Sequence, residues 1–444
     1  MNTTKSAKKK FFNVVSLTSR GANCLNRDDS NMVKTIEFGG TPRLAISAQC
    51  LNYATLYGDD YKNYFCDETH PMGALRSIKI ANSEKAAKQL KKNQVFIESL
   101  KEMAVSNGFD RAFQGMYGIE LSNEILFMVF EYTQRLESDK DNLVVNWEIE
   151  EILSAMETVL KALTSPEEEM AKIRKGGFDL DYIKNAIKKE PSNKDISKKA
   201  IKGAIKKDLN GKCVYSMDTA NRGRMCTGGL LDNVRGAQSC STSFTVNAAT
   251  GQVDYFTASD DFPSEDHAGA AHINTKDFGT GLYYGGDVYD MNLFLKNRGA
   301  ERDENKDNKD FLRQEFKNQG YAIAAKLQAT PSGRQGLTAS YSLPSYVMVT
   351  FGSRPATLES AFEFPVPASE KGYLPESIKR LEDLWIRRSR AYGCDDDVAV
   401  FTMYPEQSDL IKEGLAHKCE TLDELIAWVE SRSEGFSYQT SVSA

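Results

Sequence analysis

Strand-like segments stand on both sides of a long helical stretch, and this arrangement limits the possible folds more than any other feature of the sequence. Residues 11–19 are rich in β-branched and aromatic side chains, and similar segments return at 280–284 and 345–351. Between them, from residue 59 to about residue 212, apolar residues recur at helical spacing. Because the strands come from both sides of this stretch, the sequence predicts one α+β core with a helical insertion.

Local patterns place further elements along the chain. Residues 214–217 (Val-Tyr-Ser-Met) are predicted as a strand, and residues 253–262 as one arm of an exposed hairpin. Residues 43–57 form a short mixed segment. Five helices are predicted in the insertion, at residues 83–103, 121–136, 147–163, 166–189 and 192–207. Three more follow it: one after the charged loop 299–310 that ends at about 329, one over 374–385, and one from a Thr421–Glu424 capping box to about 431.

Composition excludes several classes of protein. The chain has 444 residues, 41% of them apolar, which suffices for a sizeable core. No run of about 20 apolar residues is present, and the basic N-terminal stretch precedes a strand-like segment instead of an apolar signal core. We therefore expect a cytoplasmic protein with no membrane contact. Eight cysteines without a Cys-x-x-Cys pair and four histidines argue against structural zinc, so reduced thiols and no cofactor are expected.

The net charge of −6 argues weakly against a nucleic-acid partner, but the charge is unevenly distributed. Residues 1–58 hold eight Lys/Arg against three Asp/Glu, and residues 172–212 hold thirteen against five. A local basic face matters more for polyanion binding than the net sum does. Both stretches therefore remain candidates for contact with a polyanion.

A polar loop after the first strand is the main candidate for function. Residues 24–34 crowd amide, carboxylate, guanidinium and ammonium groups together, and Phe38-Gly39-Gly40 follows with backbone freedom. Arg43, Ser47 and Gln49 fall at or near alternate positions and would share one face of an extended chain. These groups suit phosphate and sugar oxygens. The alternative is a solvated loop in which Arg27 pairs with Asp28 or Asp29.

Five motifs occur in a fixed order along the chain. They are Cys-Leu-Asn-Arg-Asp-Asp at 24–29 with Phe-Gly-Gly at 38–40 and Ile-Ser-x-Gln at 46–49, Gly-Arg-Met at 223–225, Asp-Tyr-Phe-Thr-Ala-x-Asp-Asp at 254–261, Ala-His with Asp-Phe at 271–278, and Tyr-Val-Met-Val at 346–349 ahead of the Trp385 helix. In this order they resemble the CasC family, the CRISPR-RNA-binding backbone subunits of the type I-E Cascade complex. The similarity covers about residues 11–58 and 213–392, whereas the helical insertion matches poorly.

The resemblance implies a right-hand architecture and a set of partners. It implies an RRM-like (ferredoxin-like) palm at 1–58, 213–244 and 278–392, helical fingers at 59–212, a β-hairpin thumb at 245–277, and a C-terminal helical segment at 393–444. The implied partners are CRISPR guide RNA, target DNA through the guide, copies of the chain itself and other Cascade subunits. The implied role is a scaffold that presents guide bases, and not an enzyme.

The same resemblance implies the RNA-binding residues. Arg27, Lys34, Arg43 and Arg224 would hold phosphates, Ser47 and Gln49 would bind backbone or sugar, and Met225 and Phe256, with Thr257, would contact a base. The alternatives are surface charges for the basic residues, core packing for Met225, and a hairpin core position for Phe256.

One segment departs from the family pattern. Residues 50–56 carry Asn52, Tyr53 and Leu56 where related chains have basic residues, so part of the phosphate clamp is in doubt. Our hypothesis is that the lysines of 198–212, or Arg334, supply the missing charge.

Two other functions stay open on the sequence. Paired carboxylates at Asp28/Asp29 and Asp260/Asp261, with His267 and His272, suit a metal-dependent RNA-cleaving backbone subunit like those of type III effector complexes. A general single-strand RNA-binding module is the third possibility. Added Mg²⁺ with a target strand distinguishes the first of these from a scaffold.

Overall fold

The computed structural model describes residues 8–65, 74–78, 144–148, 214–226, 231–259 and 270–439, with scattered positions between 101 and 160. Only the backbone is described at 74–78, 144–147, 256–259 and 270–274. The chain divides into two compact units. The first comprises Met1–Tyr64, Ala237–Leu295 and Asp307–Ala444, and the second comprises Phe65–Gly236 and Lys296–Lys306.

The described elements alternate between strands and helices. The strands are β1 (Phe11–Asn23), β2 (Thr35–Phe38), β3 (Thr41–Ile46), β4 (Ala74–Ile78), β5 (Val144–Glu148), β6 (Gln238–Cys240), β7 (Ser243–Thr245), β8 (Gly251–Ser259), β9 (Ala270–Asp290), β10 (Tyr346–Gly352), β11 (Asp397–Thr402) and β12 (His417–Cys419). The helices are α1 (Ala48–Tyr57), α2 (Asp59–Phe65), α3 (Met217–Arg222), α4 (Met291–Asn297), α5 (Lys309–Gln328), α6 (Gln335–Thr338), α7 (Leu374–Tyr392), α8 (Asp409–Lys412) and α9 (Leu422–Ser431).

A large sheet forms the centre of the first unit. Its strand order is β12-β11-β10-β1-β9-β7-β3-β2, and β6 and β8 also pair with β9. Every pair is antiparallel except β11 with β12. Strands from before and after the insertion thus lie side by side, which confirms the predicted α+β core. The finer RRM-like description stays a prediction.

Helices cover both faces of this sheet. Side chains alternate along β1, so Phe12 faces Phe316 of α5 and Trp428 of α9, at ring-centroid distances of 5.9 and 6.4 Å. On the opposite face, Val15 and Leu17 join an apolar cluster with α7. Strand β10, predicted at 345–351, is buried along its whole length, as expected for a central strand covered on both sides.

The C-terminal helix begins with the predicted cap, in a shifted form. The Thr421 side chain accepts a hydrogen bond from the Glu424 amide at 3.2 Å. The Glu424 carboxylate accepts from the amide of Glu420, at 2.8 Å, instead of from the cap residue itself. The bond from the cap side chain is therefore standard, and only the reciprocal bond is shifted, to the amide of the residue before the cap.

The segment 43–57 resolves into a strand and a helix. Strand β3 ends at Ile46, and the Ser47 side chain caps α1 by accepting a hydrogen bond from the Cys50 amide at 3.3 Å. The prediction that Arg43, Ser47 and Gln49 share one extended face is therefore wrong, because the chain becomes helical after Ser47. The turn between β2 and β3 uses Gly39 and Gly40 at φ +61° and +68°, as their sequence predicts.

The second unit corrects two predicted elements. Residues 214–217 are not a strand, since the Ser216 side chain caps α3 by accepting a hydrogen bond from the Thr219 amide. A good N-cap thus outweighs the β propensity of Val214 and Tyr215. The helix predicted at 147–163 does not begin at Trp147, because Trp147 belongs to β5, which pairs antiparallel with β4. The described helical positions of that region are 151, 154–157 and 160.

The remaining helices predicted in the insertion, at 83–103, 121–136, 166–189 and 192–207, fall outside the described residues apart from isolated positions. Among the helices that the structure describes, none combines the length and the apolar character needed to cross a membrane.

Candidate functional site

The loop between β1 and β2 is anchored at both ends and exposed between them. Cys24, Leu25 and Val33 are buried in an apolar cluster, whereas residues 27–32 are exposed. Asp28 organises the loop, because its carboxylate accepts from the Met32 amide at 2.9 Å and its amide donates back to the Met32 carbonyl. The chain therefore presents residues 27–32 on a fixed turn.

Arg27 keeps its charge available on this turn. Its guanidinium donates to the Asn31 side chain, and among the described residues it forms no ion pair with a carboxylate. The expected alternative, a surface pair with Asp28 or Asp29, is not formed because Asp28 is bound to the main chain of its own loop. An exposed, unneutralised guanidinium is suited to bind a phosphate.

Asn26 joins this loop to the start of α1. Its side-chain oxygen accepts from the Ser47 amide at 2.9 Å, and its carbonyl accepts from the Lys34 amide at 3.0 Å. Lys34, Ser47 and the exposed Gln49 are thereby brought to one place beside the Arg27 loop. The sequence contained Asn26 in its polar run, but gave no sign of this connecting role.

Lys326 of α5 adds a second ammonium group that sequence reasoning missed. Its amino group donates to the Asn52 side chain at 2.9 Å and to the Cys240 sulfur at 3.2 Å. Burial raises the pKa of Cys50 in the first turn of α1, and the charges of Lys326 and Lys34 oppose that shift. Helix α1 has no basic residue of its own, so the charge beside it comes from neighbouring elements; the lysines of 198–212 lie outside the described residues.

Arg43 lies in the core and not at the surface. The side chain is fully buried, and its two terminal nitrogens donate to the carbonyl oxygens of Thr245, Val246, Phe362 and Glu363 at 2.9, 2.8, 3.0 and 3.4 Å. The guanidinium thus ties β3 to two distant segments. The expectation that Arg43 holds a phosphate is corrected, because those nitrogens are already bound to main-chain carbonyls.

Arg224, in the second unit, is also occupied. It is 6% exposed and forms a two-pronged ion pair with Glu151, with Nη2 2.9 Å from Oε1, while also donating to the Asp232 carbonyl. Its main chain pairs with that of Val234. Arg224 therefore holds a loop closed, and its expected role as a phosphate ligand is corrected.

The next residue on that loop, Met225, is 81% exposed. The alternative of core packing for Met225 is thus wrong. The Asn233 side chain accepts from the Cys226 amide at 2.6 Å, so both flanks of Met225 are fixed. A soft, exposed apolar side chain on a fixed loop offers a surface on which a nucleotide base can rest.

The predicted hairpin forms from β8 and the first half of β9. The register places Phe256 opposite Asn274 and Thr257 opposite Ile273. Val253 and Tyr255 on β8 are 67% and 63% exposed, so this part of the ribbon is free of the core. The side chains of Phe256 and Thr257 lie outside the described set, and their roles stay predictions.

Glu148 connects β5 to the start of α3 within the second unit. Its carboxylate accepts from the amide and the hydroxyl of Ser216 at 3.1 and 3.2 Å. Burial raises the pKa of Glu148 to about 7. Hydrogen bonds from Thr219 and Ser216 oppose this shift, the Glu151 charge adds to it, and the Arg224 charge opposes it.

The raised pKa of Glu148 predicts that the stability of the protein depends on pH. The folded-state pKa lies above the unfolded value of 4.5, so the folded chain binds the extra proton and loses stability as pH rises from about 4.5 to 7. We expect Glu148→Gln to match the wild type at pH 5 and to exceed its free energy of unfolding by about 2–3 kcal/mol at pH 8. Urea denaturation between these pH values measures the difference. A pH-independent difference, or an equal pH dependence in the surface control Glu413→Gln, contradicts the assignment.

Comparison with known proteins connects this geometry to a family. The sequence model of the CT1975-like protein family matches residues 12–428, nearly the whole chain. The chain belongs to this CasC-like family. No curated protein matches the sequence significantly.

Two solved structures share the fold of this CT1975-like protein. A chain of a "CRISPR RNA-guided surveillance complex, pre-nicking" matches with a TM-score of 0.64 and 19% identity, over 95% of this chain and 100% of that one. A chain of a "CRISPR RNA-guided surveillance complex" matches with a TM-score of 0.50 and 16% identity, over 95% and 99%. At these identities the similarity establishes the fold.

The acidic alternative has no further support in the described part of the CT1975-like chain. There, no group of three or more His, Cys, Asp or Glu residues is placed to hold a metal. Asp28 is bound to the Met32 amide, and Asp29 is exposed. Asp260, Asp261 and His267, and the side chain of His272, lie outside the described residues.

Proposed function

We propose that this chain is a CRISPR-RNA-binding backbone subunit of a Cascade complex of type I-E. Copies of it assemble along the guide RNA, cover the sugar-phosphate backbone and leave the bases free to pair with target DNA. The sequence of the target is then read by base pairing and not by protein side chains. The subunit acts as a scaffold beside other Cascade subunits, and target cleavage belongs to a separate protein.

One observation carries the proposal: the 27–32 loop presents, on a turn fixed by Asp28, a guanidinium that pairs with no carboxylate of the described residues. Lys34, Ser47 and Gln49 gather beside it through Asn26. In the second unit, Met225 offers an exposed apolar surface on a closed loop. A set of fixed backbone-binding groups and an apolar base contact is what sequence-independent binding of single-stranded RNA requires. The palm, fingers and thumb divisions are part of this proposal.

The direct test is co-purification. The chain is expressed with a CRISPR array and its processing partners and purified by its own tag, and the bound nucleic acid is run on a denaturing gel. One discrete guide-sized RNA in a large particle supports the proposal. Protein of monomer mass that holds no RNA at low salt overturns it. RNA bound by monomers without discrete multimers points instead to a general RNA-binding module. The nuclease is indicated if the target strand is cleaved when Mg²⁺ is added and if Asp28→Ala/Asp29→Ala abolishes this cleavage.

Arg27 gives a quantitative prediction within that test. Replacing Arg27 with glutamine removes one phosphate contact. The slope of the logarithm of the RNA-binding constant against the logarithm of the salt concentration then becomes shallower by about 0.7, as expected for single strands. Anisotropy titrations of the chain with a labelled guide RNA at several NaCl concentrations measure the slope. The matched control is Arg380→Gln, since Arg380 lies on α7 and pairs with Glu376 on that helix surface. Equal slopes in both variants remove Arg27 from the interface.

A further inference from the structure

Arg20 is a buried basic residue near the end of β1. It is only 7% exposed, and Nε and Nη1 have no hydrogen-bond partner among the described residues. An arginine stays protonated at any physiological pH, so it cannot escape this burial by losing its proton. Burying a charge without a counter-charge costs several kcal/mol, so binding of an anion at this position would be favourable.

The segment 333–345 covers this part of β1. Pairing of β1 with β10 ends at Leu17 opposite Tyr346, and the Ser345 amide donates to the Leu17 carbonyl at 2.8 Å. At the other end, a Cβ on Gly333 would lie 2.5 Å from the Leu25 carbonyl oxygen, so the two chains are in direct contact there. Residues 334–344 therefore run beside the stretch of β1 that carries Arg20.

The covering segment adds a second arginine with an unused nitrogen. Within the described part of the chain, Arg334 Nη1 is buried without a hydrogen-bond partner, and the same holds for Gln335 Oε1 and Ser340 Oγ. Arg334 has φ +50°, a left-handed conformation that costs a non-glycine residue about 1 kcal/mol or more. The segment that covers this end of β1 thus contains an arginine with a strained backbone.

Electrostatic effects link Arg20 to Tyr283, and Arg334 to the neighbouring Cys24. Burial lowers the pKa of Arg20, and the Tyr283 phenol opposes this shift. Burial raises the pKa of the Cys24 thiol, while Arg334 and Arg27 lower it and Asp277 and Asp28 raise it again. Tyr283 and Cys24 also act on each other.

The two acids beside Cys24 do not neutralise the arginines. The Asp28 carboxylate accepts from the Met32 amide, and the Asp277 carboxylate accepts from the Val33 amide at 3.4 Å. Neither forms an ion pair with Arg20 or Arg334 among the described residues. Three guanidinium groups therefore face two carboxylates here, and the surroundings favour an anion.

We propose that Arg20 and Arg334 bind one phosphodiester group of the guide RNA, next to the Arg27 loop. This site rests on the proposed function and extends the surface that the loop begins. Phosphate is the chemistry that fits, because its oxygens accept the paired N–H groups of guanidinium, and no carboxylate in the described ranges forms an ion pair with either arginine. Arg334 then supplies part of the charge that helix α1 lacks, as the sequence hypothesis anticipated, while Arg20 is new.

The first arm of the test uses the purified chain, stripped of RNA at high salt, and a labelled guide RNA. We expect Arg20→Met to weaken binding about tenfold and to lower the salt slope by about 0.7, with Arg334→Met giving the same two changes. In contrast, Arg20→Met raises the melting temperature of the RNA-free chain, since it removes an uncompensated buried charge. Arg380→Met, on the opposite face of the sheet, is the matched control.

The proposed site predicts that Arg20→Met weakens RNA binding but raises the melting temperature, and these opposite changes make the test decisive. A structural arginine solvated by ordered water would give a lower melting temperature in Arg20→Met and an unchanged salt slope, and that result overturns the site. A wild type that binds guide RNA with a slope equal to that of Arg20→Met also overturns it, and leaves the proposed function standing.

A second arm, with inorganic phosphate as the probe, separates the site from the proposed function. We expect phosphate, compared with chloride at equal ionic strength, to raise the melting temperature of the wild type more than that of Arg20→Met. If the wild type binds no RNA but shows this difference, the proposed function fails and an anion site at Arg20 remains, for a free phosphate and not for RNA. If phosphate stabilises both equally, the site at Arg20 is refuted.

Discussion

The Arg43→Ala variant is expected to lose about 3–5 kcal/mol of the free energy of unfolding. The fully buried guanidinium donates to four main-chain carbonyls on segments that lie about 200 and 320 residues away in the chain. Removing it takes a hydrogen bond from each of these carbonyls, of which Val246 keeps the bond from the Val366 amide, and opens a cavity. Arg43→Lys should fall in between, because an ammonium reaches some of the same oxygens.

Urea denaturation of the RNA-free protein measures this effect, and Arg27→Ala is the control. Arg27 is exposed, so its loss should change stability by less than about 0.5 kcal/mol while reducing RNA binding. Arg43→Ala should show the reverse, with normal RNA affinity in the fraction that folds. A stable Arg43→Ala protein with weakened RNA binding would return Arg43 to the phosphate-binding set.

The second large effect is expected at the buried ion pair of the second unit. Glu151→Gln leaves the Arg224 guanidinium without its counter-charge in a site where the two side chains are 1% and 5% exposed. Breaking such a pair from one side costs about 3–5 kcal/mol. The variant Glu151→Met/Arg224→Met should regain part of this loss, because the guanidinium that Glu151→Gln leaves behind is then removed as well.

Hydrogen exchange shows where this stability is lost. The amides of Arg224 and Val234, which bond to each other's carbonyls, should lose protection in Glu151→Gln. Glu376→Gln, at the surface pair with Arg380, should cost no more than about 0.5 kcal/mol. Since Arg224 is used inside the protein, the double methionine variant should keep the salt slope of RNA binding. A slope lower by about 0.7 would show that Arg224 does contact a phosphate.

Local sequence patterns were sufficient for elements whose signals are short in range. The run of apolar residues at 346–351 became a buried central strand, and the Gly39-Gly40 pair became a hairpin turn. The polar loop at 24–34 could also be predicted, because apolar residues at 24, 25 and 33 enclose a run that is polar from Asn26 to Asn31. The strand predicted at 214–217 failed where one capping serine outweighed two β-prone residues.

The roles of side chains were harder to predict from the sequence than the helices and strands were. Arg27 and Arg43 are the same residue type, both within a basic N-terminal region, yet one is exposed and the other fully buried. What separates them is the position of Thr245, Val246 and Phe362, whose carbonyls converge on Arg43 alone. In the same way, Lys326 reaches Asn52 across 274 residues of sequence, and no local pattern signals that contact.

The sequence by itself determined that strands from both sides of an insertion share one α+β core, that a polar loop follows the first strand, and that the chain resembles CasC proteins. Periodicity and turn residues are local properties, and the order of motifs is visible along the sequence without knowledge of the fold. Only the tertiary structure decided which arginines face solvent and which serve the core. It also buried Arg20 with two nitrogens, Nε and Nη1, that find no hydrogen-bond partner in the described ranges. The reason is physical: whether a charge is free or bound depends on donors and acceptors that folding brings together from distant parts of the chain.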